Sequence, residues 1–462
     1  MSYHSIIRAI KNEIRENFSL SLPLIASQLV FASSGFIGTA FVAKLGDDAL
    51  AASVLVSMIW MSLSVLFFGM LNSISVLVSH QYGANNPKGI SAIMGQAFIM
   101  GMIVIVVMIL LLCTMPLFLH FTSQAPAVLT LALQYMHALL WLVPGLIVLI
   151  ICEQFLAGIN RPKMVLRISL LVVPIEIPLI YLLIFGKLGL PACGVAGVGY
   201  GFAITYSSTA IILSLYLLKS KHFTSFAIFK QINFINSHLL KELARVGLPM
   251  GFMHVIEVST FAVATIWIGQ FGTTVLAAHQ IAFQYLSFSI TFVFAMSQAV
   301  TVRVGHAVGR QDLAEIKRAI YVGIGLNFIC VLIVALAFNL FPHLFLRLDL
   351  NIDDPANASL INNASMLLGI SGVLILFDNF RIISYGALRG LKDTKFPMYA
   401  AFISFWIIGL SSAFLFAFIF KWQAKGIWWG LTLGIAMGAI IVFARIQYLL
   451  GRVDLARVLS KG

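Results

Sequence analysis

Apolar residues in this chain come in long continuous runs, not in the alternating or 3.6-residue patterns of elements that keep one face in water. Twelve such runs can be traced, at about 20–43, 49–79, 92–119, 127–157, 164–186, 193–218, 246–270, 275–304, 318–342, 360–388, 396–420 and 426–449. A hydrocarbon core about 30 Å thick is crossed by about 20 apolar residues in a helix, so each run predicts one spanning helix. Gly and Pro inside several runs are compatible with this, because neighbouring helices satisfy the backbone groups they free. A membrane β-barrel would instead show short alternating segments, and the sequence has none. The pattern predicts an all-α integral membrane protein with twelve transmembrane helices.

Composition agrees. Of 462 residues, 61 % are hydrophobic and 10 % charged, against about 25 % charged in a soluble domain. The four cysteines, Cys113, Cys152, Cys193 and Cys330, all fall inside apolar runs without ligand-like spacing, and read as small hydrophobes. Residues 1–19 carry Arg8, Lys11, Glu13, Arg15 and Glu16 and read as a cytoplasmic interfacial segment. No short apolar core with a small-residue cleavage site marks a removable signal peptide there.

The net charge of +13 would suggest nucleic acid in a soluble protein. Here it is explained by topology, because Lys and Arg gather in cytoplasmic loops. With the amino terminus inside, 23 of the 29 basic residues fall on cytoplasmic segments and five outside, at Lys44, Lys187, Arg347, Lys421 and Lys425; Arg381 alone lies within a helix. Both termini are therefore expected in the cytoplasm, with 121–124 and 351–357 facing outside, and no nucleic-acid partner is needed.

The chain also repeats itself. Leu22-Pro23 recurs as Leu248-Pro249, Gly46 as Gly272, Leu50-Ala51-Ala52 as Leu276-Ala277-Ala278 and His80 as His306, all 226 positions apart; Gly158 recurs as Gly390, Lys163 as Lys395 and Gly194 as Gly426, 232 apart. The expected organisation is two parallel six-helix bundles, 20–218 and 246–450, joined by a basic cytoplasmic linker at 219–245 and followed by a cytoplasmic tail at 451–462. Parallel repeats of this kind are transporter architecture, with substrate handled at the repeat interface.

Ionisable residues at membrane depth are costly and point to function. Five stand out: Glu153, Glu176, Glu257, Asp378 and Arg381. Glu257 and Asp378 both fall near mid-bilayer in the second half, and their repeat images are the apolar Phe31 and Leu146. Two carboxylates in low dielectric must take up protons or hold a cation, which suits coupling to H+ or Na+. Arg381 follows Asp378 at i+3, where side chains on a helix meet. It reads either as a neutralising partner or as a tethered counter-ion exchanging between Asp378 and Glu257. Glu176 lies between Pro174 and Pro178 and is a candidate to line a cavity. Glu153, near a cytoplasmic helix end, reads as structural. His80 and His306 read as helix-end caps, His254 and His279 as satisfied by neighbours, and the tryptophans mostly as lipid or interface residues.

Longer motifs carry a resemblance. Gly247-Leu248-Pro249 followed by Glu257-Val258, the stretch from Phe271 to Gln280, Val302 to Gly309, and Gly386 to Thr394 together resemble the multidrug and toxic compound extrusion (MATE) transporters, and within them the NorM-like branch. The resemblance covers nearly the whole chain. It implies an efflux antiporter, not an enzyme, that works as a monomer among membrane lipids without a cofactor. Amphipathic, cationic organic compounds and drugs would leave in exchange for Na+ or H+, with Glu257 and Asp378 at the cation-coupling positions. Three departures accompany it: Gly38 where an aspartate is usual, Glu176 where an asparagine is common, and Arg381. The alternative is a flippase for lipid or lipid-linked saccharide of the same superfamily, which would be expected to line its cavity with several basic residues. An intramembrane enzyme would need a nucleophile–base pair or metal cluster that the sequence does not show.

Overall fold

The computed structural model describes residues 3–120, 125–232 and 234–452. The expectation for 121–124 and most of the tail at 451–462 lie outside these residues. Twelve helices among the described residues are long and apolar enough to cross a membrane, and no strand occurs among them. They are α1 (Tyr3–Ala43), α2 (Asp47–Gly83), α3 (Pro87–His120), α4 (Pro126–Gly158), α5 (Pro162–Phe185), α6 (Ala196–Lys219), α7 (Ser237–Gly269), α8 (Thr273–Gly309), α9 (Leu313–Leu340), α10 (Ala358–Gly390), α11 (Lys395–Ile419) and α12 (Gln423–Arg452). Each of the twelve apolar runs lies largely within one of them.

The repeat is written in the backbone as well as in the residues. Gly46 and Gly272, one residue before α2 and α8, have φ of 111° and 109°, a region that strongly favours glycine. Asn85 and Gln311, again 226 apart, both take positive φ after a helix end, as do Asn160 and Lys392, 232 apart. Equivalent turns therefore close equivalent helices.

The chain forms two compact units, Pro23–Gly251 and Met1–Leu22 with Phe252–Gly462. The first unit is built on one continuous apolar core from the end of α1 to the first half of α7. Stretches of the 219–245 linker belong to that core. Phe223 and Ile228 are buried, Phe229 stacks on Phe98 at 4.9 Å, and the Phe234 carbonyl accepts from Gln96 Nε2 at 2.7 Å. Aromatic residues in a nominally basic loop thus dock it on α3 and α4.

In the second unit, the stretch at 1–19 is not a separate interfacial element. From Tyr3 it is the first part of the 41-residue α1, and it buries Glu13 and Asn17. Arg303, buried on α8, holds Glu13 in a two-pronged pair, Nε to Oε1 and Nη2 to Oε2, both 2.9 Å. Arg303 also pairs with Glu16 and reaches Glu315 Oε1 at 3.1 Å, while Arg310 Nε donates to Glu315 Oε2 at 3.0 Å. Asp312 caps α9 by accepting from the Glu315 amide at 2.9 Å, which fixes the loop that presents Glu315. The boundary between units falls at Pro23 of α1 and two residues after Pro249 of α7. These are the repeated Leu-Pro positions, where a missing backbone donor weakens the helix ladder.

Candidate functional site

Glu257, Asp378 and Arg381 come together in the second unit, on α7 and α10. Glu257 and Asp378 each lie twelve residues from the nearer end of their helix, about 18 Å at 1.5 Å per residue. Asp378 and Arg381 are essentially inaccessible and Glu257 is 8 % exposed. Arg381 Nε donates to Asp378 Oδ1 at 2.7 Å, and its Nη2 reaches the same oxygen at 2.5 Å and Glu257 Oε1 at 2.8 Å. The guanidinium therefore holds both acids at once, a use for which its rigid fork is suited. The second Asp378 oxygen, Oδ2, is buried and accepts no hydrogen bond.

Aromatic rings complete the enclosure. Arg381 Cζ lies 5.0 Å from the Tyr385 ring centroid and 4.7 Å from that of Phe405, distances at which a cation is attracted to a ring face. Phe405 stands in a stretch of α11, Ile403–Leu410, wound as π-helix. This wider winding often marks functional sites. Against α11 packs a small-residue stripe on α12, Gly426, Gly430, Gly434 and Gly438, of which the last two meet the π-wound stretch. A Cβ on Gly430 would overlap the Ala413 backbone, one on Gly434 the Ser404 carbonyl, and one on Gly438 would meet Ser404. Such stripes let membrane helices approach closely. The sequence reading noted Gly426 alone, although the four-residue spacing was there to be seen.

Glu176 belongs to the other unit. It is fully buried, Ser34 Oγ of α1 donates to its Oε1, and its Oε2 has no partner. Ser34 is a residue that the sequence reading missed. The pair is separated by 142 positions, and a lone serine in an apolar run gives no signal. Gly38, one turn further along α1, has only Val198 within reach of a Cβ, so no acid stands there to accompany Glu176. Glu153 Oε1 is buried and unpartnered. It makes no ion pair among the described residues.

His279 is satisfied by its neighbours. Trp428 Nε1 donates to its Nδ1 at 3.2 Å, and its Nε2 lies 2.9 Å from Thr265 Oγ1. Indole N–H can only donate, so Nδ1 is the acceptor and Nε2 carries the hydrogen. Trp428 itself is buried, a core residue and not the lipid or interface residue that the tryptophans as a group suggested. Among the described residues no three His, Cys, Asp or Glu side chains gather as a metal site.

Comparisons with known proteins agree with this architecture. The MatE family model matches residues 23–182 and 249–415. The probable multidrug resistance protein NorM of Pseudomonas aeruginosa is 33 % identical over 429 residues, covering 93 % of this chain and 88 % of that one. Its namesake in Synechocystis is 29 % identical over 440 residues, 95 % of each chain. Among solved structures, the Vibrio cholerae MATE transporter VcmN in its bent form superposes with a TM-score of 0.87 at 15 % identity, over 98 % of this chain and 99 % of that one. The eukaryotic MATE transporter AtDTX14 gives 0.83 at 18 % identity, over 98 % of both. These structural likenesses speak to the fold, which is that of MATE transporters: twelve membrane helices in two six-helix bundles. With the family model matched across both halves and curated relatives matched over nearly the full length, the chain belongs to the MatE family and stands in its NorM-like branch.

Proposed function

We propose that this protein is a secondary antiporter that exports amphipathic organic cations in exchange for protons, by alternating access of its two bundles. The observation that carries this reading is the Arg381 guanidinium, buried at membrane depth and shared by two carboxylates. With every group ionised the trio has a net charge of −1, an attractive counter-charge for an organic cation in a low-dielectric setting. One proton on either acid brings the trio to neutrality, removes that attraction and weakens the charge-assisted bonds holding α7 to α10. Proton and substrate thus exclude one another, and exchange follows.

Sodium would neutralise the trio as well, but it would have to share carboxylate oxygens with a fixed cation less than about 5 Å away, where like charges repel. A proton needs one oxygen, and Asp378 Oδ2 accepts nothing else. Glu176 offers a second acid in the other unit. Its Ser34 bond leaves one oxygen free, and we assign it a supporting role in the exchange. The same reading places the protein in a bacterial inner membrane with both termini cytoplasmic, without a cofactor and functional as a monomer.

The test is efflux of ethidium from proteoliposomes under separately imposed gradients. An inward proton gradient alone should drive efflux, and an inward sodium gradient at equal pH should not. Sodium-driven efflux would reassign the coupling ion. Lipid scrambling with neither gradient effective would replace the reading by a flippase.

A further inference from the structure

A cavity of about 630 Å³ lies within the second unit, walled by α8, α9, α10 and the short helix Pro342–Leu346. It takes no part in the site above. Its size is that of a small-molecule pocket, which typically spans about 300–1,000 Å³ with apolar walls and a few placed polar groups. Tyr285, Phe338 and Phe345 form one end. Phe338 and Phe345 meet edge to face at 5.0 Å, and Tyr285 OH donates to Asp349 Oδ2 at 2.6 Å, which fixes the ring. Phe288, Phe292 and Ile333 line the wall and are also exposed on the outer face of their helices, so the pocket is reached from the bilayer.

Asn327 lines the pocket eleven residues before Phe338 on α9, about 16 Å deeper, close to the half-thickness of a hydrocarbon core of about 30 Å. It is 1 % exposed. Its Nδ2 donates to the Gly323 carbonyl at 3.3 Å, and its Oδ1 is buried without a partner. An unmatched amide oxygen at this depth is costly. It is a buried acceptor beside an aromatic pocket, left unmatched although Gln284 and Ser289 also line that pocket.

We propose that this pocket binds a membrane-partitioned, uncharged aromatic compound whose single hydrogen-bond donor reaches Asn327 Oδ1. The rings select aromatic ligands, because offset and edge-to-face contacts add to the burial of apolar area. The donor is uncharged because no acid or base lines the pocket, and the nearest carboxylate, Asp349, is engaged by Tyr285. A phospholipid acyl chain fits less well, since it has no donor and would leave Oδ1 unmatched. The pocket is separate from the acidic trio, so the proposal does not depend on the direction or the driving ion of transport.

The test uses two probes that differ only in the donor, 1-aminoanthracene and anthracene, titrated by fluorescence against the full chain in phosphatidylcholine nanodiscs. Saturable binding of 1-aminoanthracene is expected, about tenfold tighter than anthracene, the effect of one net hydrogen bond. Asn327→Leu should bring 1-aminoanthracene down to the affinity of anthracene and leave anthracene unchanged. Val334→Trp should fill the pocket and abolish both, and Ala337→Phe provides the same filling should the tryptophan variant fail to fold. Absence of saturable binding, equal affinities in the unsubstituted protein, or binding that survives a folded filling variant would each overturn the proposal. Displacement of both probes by added phospholipid, with no effect of Asn327→Leu, would assign the groove to acyl chains instead.

Discussion

Arg381 decides how the two acids behave. Replacing it by Met leaves Asp378 and Glu257 buried without a counter-charge, a change that costs about 3–5 kcal/mol when one partner of a buried pair is removed. Arg381→Met should therefore lower the thermal midpoint in detergent substantially, and a second substitution, Asp378→Asn, should recover part of the loss. Independent, additive losses would mean that the pair is not coupled. The Asp378–Arg381 contact was legible in the sequence because i+3 spacing on a helix brings side chains together. The simultaneous contact with Glu257 was offered there only as an exchange of partners. It depends on how far α7 and α10 approach, which no spacing along one helix reports. Glu176 gives a contrasting case: its prolines drew attention, but Ser34, which supplies its bond, did not. Glu176→Gln should reduce gradient-driven efflux well below that of Glu153→Gln, and equal mild effects in transport assays would make Glu176 structural.

At the scale of elements, the surprise is the seam between α11 and α12. The apolar run at 396–420 predicts a helix, but periodicity does not distinguish a π-wound stretch from an α-helix of the same composition. The widened turn that brings Phe405 over Arg381 was therefore not legible. The Gly430, Gly434 and Gly438 stripe against it was. Gly434→Val should force α12 away from Ser404, an overpacking cost of about 1–3 kcal/mol, and should loosen the aromatic enclosure of Arg381. Melting in detergent and efflux should fall together. An unchanged thermal midpoint would show that the seam is less tight than its backbone contacts suggest.

For the whole molecule, the twelve spans and the duplicated scaffold were readable because lipid demands long apolar runs and a repeat leaves its turns behind. The placement of the first turns of α1 was not. Arg303 was counted as one more basic residue at a cytoplasmic helix end, and its grip on Glu13 links positions 290 residues apart. Arg303→Met should destabilise the second unit by about 3–5 kcal/mol, as buried pairs broken on one side do, and should expose the 7–20 segment to protease. Unaltered cleavage would show that apolar contacts around Leu20 hold α1 without the ion network. Orientation is checked separately by single-cysteine labelling with an impermeant reagent. Positions 351–357 should react from outside and Lys230 and Lys392 from inside. Labelling of position 230 from outside would reverse the charge-based topology.

The central claim, that proton exchange runs through the acids held by Arg381, is tested most directly by ethidium efflux from proteoliposomes under an imposed proton gradient, comparing the unsubstituted protein with the double variant Glu257→Gln, Asp378→Asn. Both amides keep size and hydrogen-bonding capacity but cannot exchange a proton, and the variant leaves Arg381 with an uncompensated charge that repels the organic cation. The account predicts a membrane-inserted double variant, less stable because its buried guanidinium is unpaired, whose proton-driven efflux is lost. Robust proton-driven efflux by that variant would contradict it.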